Sequence, residues 1–129
     1  MKIAFSKPVD FIPTWNGNDK AFPDEQIRCR LTPLKLGTFL SMADATSGIQ
    51  TGGSIEINAV SVTKLQPLLA YAVLVFPTNV ELAGLLDEET GVPITSLQIA
   101  EDARLLPLVA EIIGKLLEIS APKGPDVKN

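Results

Sequence analysis

Three stretches of this 129-residue chain carry residue types that do chemistry when closely spaced. Gly48 to Ser54 (GIQTGGS) has the glycines of a phosphate-cradling loop. It lacks the lysine that such loops use to reach the phosphates, and no strong strand precedes it, so it reads as a flexible linker. Asp87-Glu88-Glu89 offers three carboxylates to a hard cation. A calcium loop alternates its ligands over about twelve residues, which this run does not, and carboxylates before Thr90-Gly91 read as a solvated turn. Arg28 and Arg30 share one face of a strand, with only Phe11 and Trp15 nearby to stack on bases. Two such arginines read as solvation and edge protection.

Missing residues narrow the chemistry further. With no histidine, the Ser/His and Cys/His catalytic pairs and the histidine-containing zinc sites are excluded. Cys29 is the single cysteine, so neither an internal disulfide nor an all-thiolate metal site can form. It is expected to be an inert thiol. The 15 acidic residues are scattered over turns and helix surfaces, away from any glycine-rich or aromatic pocket motif, which disfavours a paired-carboxylate enzyme. Eleven basic residues leave a net charge of −4, the wrong sign for displacing counterions from nucleic acid. The expectation is a non-enzyme without catalytic residues, cofactor or metal, and without affinity for nucleic acid or membrane.

The elements that would carry any surface follow from periodicity. Hydrophobic residues make up 46% of the chain and charged residues 20%, enough apolar matter for a packed core. Residues 1–31 read as extended and turn-rich, interrupted by Pro8, Pro13 and Pro23, with Asn16-Gly17 as a turn. Gln26 to Leu31 alternates, placing Ile27, Cys29 and Leu31 on one face. Lys2–Phe5 is its expected partner strand and Phe11–Trp15 a weaker one. Thr32-Pro33 opens a helix ending near Ala45, and residues 46–54 form the flexible loop. Residues 55–121 are mainly helical, with Ile55–Val62 and Val80–Leu86 readable either as strands or as helix ends. Thr95 or Ser96 caps a short helix over Leu97–Ala103. Asp102 caps the last helix, where Leu105, Leu108, Val109, Ile112, Ile113, Leu116 and Leu117 recur at spacings of three and four. Glu111 and Lys115 lie one turn apart on its polar face. Pro122 and Gly124 end it, and residues 122–129 form a frayed tail. The fold class is therefore α+β: one domain with a small N-terminal antiparallel sheet and about four helices.

The longest apolar run, Leu68 to Phe76, is closed by Pro77. It falls well short of the roughly 20 residues that span a bilayer. The N-terminal apolar stretch is shorter than the roughly 7–15 residues of a signal peptide, so a reducing cytoplasm is expected. The helix containing the run begins either at the capping box Thr63…Gln66, with Pro67 in its first turn, or near Asn58, with a kink at Pro67. Both readings end it at Phe76-Pro77. Its apolar residues leave no polar face, so it is either core alone or core that also meets another chain. The expected partner-binding residues are Leu65, Leu68, Leu69, Tyr71, Ala72, Val75 and Phe76.

Two stretches carry a family resemblance. One is Phe11-Ile12-Pro13-Thr14-Trp15-Asn16-Gly17-Asn18 followed by Phe22-Pro23-Asp24-Glu25-Gln26-Ile27. The other is Leu85-Leu86-Asp87-Glu88-Glu89-Thr90-Gly91-Val92-Pro93-Ile94-Thr95 with the leucine-rich helix ending at Ser120. Together they cover about half of the chain, which resembles the tail assembly chaperones of long-tailed bacteriophages and prophages. The resemblance implies a protein that binds the tape-measure protein and keeps it soluble while tail-tube subunits polymerise around it. It also implies self-association, a location in the bacterial host's cytoplasm, and often a longer form made by ribosomal frameshifting. It brings no catalytic or ligand residue. The alternative is a structural virion component, such as a tail-tube or connector subunit.

Overall fold

The computed structural model describes residues 7–46, 50–51, 54–55 and 62–121. In chain order the strands and α-helices are β1 (Val9–Phe11), β2 (Arg28–Leu31), α1 (Leu36–Thr46), β3 (Gln50–Thr51), β4 (Ser54–Ile55), α2 (Val62–Asn79), β5 (Val80–Ala83), α3 (Ser96–Ala100) and α4 (Leu106–Ser120). Tight 3-10 turns cover Trp15–Lys20 and Ala103–Leu105. The architecture is α+β, as expected from the alternating and helical periodicities.

The three-stranded sheet is antiparallel in the order β1-β2-β5. Its cross-strand rows separate cleanly by face, because successive side chains of a strand point to opposite sides. Val9, Leu31 and Val80 form one inward row, and Phe11, Cys29 and Leu82 the next. Asp10, Arg30 and Glu81 form an outward row of alternating charge, with Arg30 Nε 3.3 Å from Asp10 Oδ1. The strand period over Ile27, Cys29 and Leu31 is thus borne out, and all three are buried.

The partners of β2 differ from those expected. Lys2–Phe5 lies outside the described residues, and Val9–Phe11 pairs with β2. Phe11–Trp15 does not continue as a strand. Pro13 has no N–H to donate to a ladder, and its carbonyl accepts from Asn18 Nδ2 at 2.8 Å. Asn16 and Gly17 then take φ values of 55° and 75°, the left-handed turn that this dipeptide favours. The second partner, β5, comes from mid-chain, so the sheet is N-terminal only in part. Asn79 sets its position: its Nδ2 donates to the carbonyls of Thr32 and Pro33, and its own carbonyl accepts from Thr32 N–H. Gly84 ends β5 at φ 89°, where an added Cβ would lie 2.0 Å from the Gln26 carbonyl oxygen.

Helix boundaries also shift where tertiary bonds compete with local signals. Thr32 does not cap α1, because the Leu34 N–H that its hydroxyl would reach donates to Ser120 Oγ and the helix begins only at Leu36. The first helical bond of α1 runs instead from Phe39 N–H to the Lys35 carbonyl. Helix α2 continues past Pro77 to Asn79 rather than ending at Phe76. Pro77 removes one N–H, and Thr78 Oγ1 bonds the Val75 carbonyl while Asn79 anchors the last turn. Thr95, not Ser96, caps α3, in a reciprocal box with Gln98. Ser96 donates its hydroxyl to the Phe76 carbonyl at 3.0 Å, a buried bond between α3 and the end of α2. The short helix stops at Ala100 because Asp102 is extended and caps the next turn through Arg104 N–H.

The core gathers around α4. Leu108, Val109, Ile112, Ile113, Leu116 and Leu117 are all buried, against Met42 of α1, Phe76 of α2, Ile99 of α3 and Leu31 of β2. Glu111 does not pair with Lys115. Its carboxylate accepts from Thr14 N–H (2.6 Å), Thr14 Oγ1 (3.0 Å) and Trp15 N–H (3.0 Å), tying the N-terminal turn to α4. Lys115 reaches Glu118 instead, at 2.6 Å. Strands β3 and β4 pair antiparallel within the stretch expected to be a flexible loop. The expected C-terminal tail, 122–129, lies outside the described residues.

Candidate functional site

Side chains able to do covalent or metal chemistry are dispersed. Among the described residues, no three His, Cys, Asp or Glu side chains gather to hold a metal ion. Asp87 closes its own turn, with Oδ1 accepting from the N–H groups of Glu89 and Thr90. Cys29 lies under the sheet, where burial pushes its thiol up to about 12 and the charge of Glu111 adds to the effect. Thiolate is therefore scarce at neutral pH. No helix among the described residues is long and apolar enough to cross a membrane.

The most informative surface is a groove between the start of α1 and the end of α2, with a volume of about 940 Å³. One wall is Thr32 to Thr38 with Ser41. The other presents Tyr71, Leu74, Val75 and Thr78 at the three- and four-residue spacing of one helix face, followed by Asn79. Leu36 is 66% exposed and Leu74 71% exposed at its edges. Leu40, one turn on from Leu36, is 55% exposed, and Val73 beside Leu74 is 37% exposed. Gly37 leaves the first wall open, since a Cβ built there meets no atom within 4 Å. Isolated exposed leucines are ordinary, but apolar side chains grouped along a groove mark a contact surface.

Charge is scarce along the same part of the chain. From Lys35 to Val80 the charged residues are Lys35, Asp44, Glu56 and Lys64, so the net charge of −4 arises entirely outside it. Among the described residues, Lys35 is the only charged one lining the groove.

The structure divides the predicted binding residues. Tyr71 and Val75 line the groove, Val75 from its buried floor. Leu69 is half-buried and lines a separate cavity of about 290 Å³ with Ala100, Leu106 and Val109. Ala72 and Phe76 are buried in the core and present no surface to a partner. The side chains of Leu65 and Leu68 lie outside the described residues. Sequence reasoning missed Leu36, Leu40 and Leu74. Helical spacing carries the signal: Leu36 and Leu40 fall on the side of α1 away from Met42, and Leu74 on the side of α2 away from Phe76.

No family model, curated protein or solved structure matches this chain.

Proposed function

We propose that this protein is a non-enzymatic tail assembly chaperone that binds the phage tape-measure protein in the host cytoplasm and keeps it soluble during tail assembly. The observation that carries the reading is the charge-poor α1–α2 face, where Leu36 and Leu74 stay exposed in the lining of an open groove and Leu40 and Val73 are exposed on the same two helices. A long helical client exposes apolar stripes, and an apolar groove takes such a stripe through anchors one turn apart. The acidic remainder of the chain keeps the loaded complex from aggregating. The two turn-rich stretches that resemble the family add a second, independent line of support.

Co-expression with the tape-measure protein tests this directly. The client should stay in solution and co-purify, and L36D combined with L74D should abolish both effects without lowering the chaperone's own thermal midpoint. A client that aggregates equally with and without the wild-type chain overturns the reading. So does finding the chain as a stoichiometric component of finished virions, which is what the structural-subunit alternative requires.

A further inference from the structure

The groove is electrically lopsided, and this bears on which segment it holds. Helix α1 begins at its mouth with no acidic residue in the first turn. The N–H groups of Leu36, Gly37 and Thr38 lack partners within the helix, as the first N–H groups of any helix do, and they give that end partial positive charge. Natural helices place a carboxylate or hydroxyl there. Here Lys35 occupies the cap position, its carbonyl accepting from Phe39 N–H, so a full positive charge sits on the positive end of the helix. Among the described residues no carboxylate lines the groove to compensate, although the chain has 15 acidic residues. The apolar wall of Tyr71, Leu74 and Val75 runs from this positive mouth along α2.

We infer that the groove selects an apolar-striped helical segment flanked by a carboxylate, the stripe lying between Leu36 and Leu74 and the carboxylate meeting Lys35 and the first turn of α1. The inference rests on the reading of this face as the client-binding surface and names the chemistry of the bound segment. A basic flank would meet Lys35 and the helix end with like charge, so selection works by repulsion as well as attraction.

The test uses synthetic amphipathic helical peptides of about five turns that share one leucine stripe and differ only in a terminal Glu-Glu or Lys-Lys pair. Binding to the full chain is followed by fluorescence anisotropy at low salt. The Glu-flanked peptide should bind about tenfold more tightly than the Lys-flanked one, and the difference should shrink as salt screens it. K35E should reverse the preference. G37L should weaken both peptides at least tenfold while retaining the wild-type thermal midpoint, because its side chain fills space left open at the α1 wall and leucine is a better helix former than glycine.

Equal affinity for the two flanks, or unchanged binding to G37L, overturns the inference. So does a homodimer of the free chain that G37L dissociates, since a second copy would then own the groove. Failure here is distinguishable from failure of the chaperone reading. A tape-measure protein still retained by K35E and G37L leaves the chaperone and removes the groove rule. Flank-dependent peptide binding without tape-measure retention does the reverse.

Discussion

Helices α2 and α4 are both rich in large apolar residues and both contain proline, yet the fold treats them differently. In α4 the apolar residues keep to one broad stripe, while Glu111, Lys115 and Glu118 occupy the rest. Most of that stripe is buried, from Leu108 through Leu117. In α2 the apolar residues run all the way round, and the fold covers only part of them. Ala72, Val75 and Phe76 go inside, and Val73 and Leu74 stay outside. In α4 a polar complement thus goes with an apolar face that is mostly buried within the fold. Where the complement is missing, the surplus belongs to the surface.

Truncation experiments should expose this difference most strongly. L116A should lower the unfolding free energy by about 3–4 kcal/mol in a urea titration, since it removes a fully buried side chain from the centre of the core. L74S should change it by less than about 0.5 kcal/mol. Comparable losses from the two would mean that Leu74 is covered and that the contrast between the helices fails.

The next effect concerns the strand that follows α2. G84A should destabilise by about 3 kcal/mol, because an alanine at φ 89° is strained and its Cβ meets the Gln26 carbonyl. The same substitution at an unstrained site would be neutral or stabilising.

A smaller effect tests the polar face of α4. E111Q keeps the shape but turns one of the two accepting oxygens into an NH2 group that cannot accept, so at least one of the three bonds is lost and the rest lose their charge assistance, which should cost about 1–2 kcal/mol. Trp15 is the only tryptophan and its N–H is one of the three donors. Its fluorescence should therefore report loosening of the N-terminal turn below the global unfolding transition.

The smallest effect is electrostatic. The Arg104 guanidinium and N–H beside Asp102 hold its carboxyl at about 2, below the ordinary 3.8. A depressed carboxylate stabilises the fold above its unfolded value and loses that contribution as pH falls through its folded one. D102N should therefore flatten the decline of the thermal midpoint between those two pH values, and only slightly, because the pair is solvent-exposed.

Elements with a clear polar complement are legible in the residues themselves. The alternation over Ile27, Cys29 and Leu31, the stripe of α4, and the turn at Asn16-Gly17 all belong to this class. Val80–Ala83 does not, because four alternating residues after an apolar helix fit a strand and a helix end equally well. The side chain and backbone of Asn79 decide the matter by bonding Thr32 and Pro33, 46 or 47 residues away. Another long-range bond, from Leu34 N–H to Ser120 Oγ, delays the start of α1, and Asn79 carries α2 beyond Pro77. For the binding surface, periodicity identifies α2 as the helix with surplus but assigns buried Ala72 and Phe76 to the partner. The side facing outward depends on where α1, α3 and β5 pack against α2, which no local pattern encodes.

Whether the α1–α2 face meets the proposed client is read out by backbone amide hydrogen exchange with and without the tape-measure protein. Protection should increase over residues 36–41 and 71–79, with no change along the outward row of the sheet at Asp10, Arg30 and Glu81. Protection gained on the sheet and absent from the groove would contradict that contact.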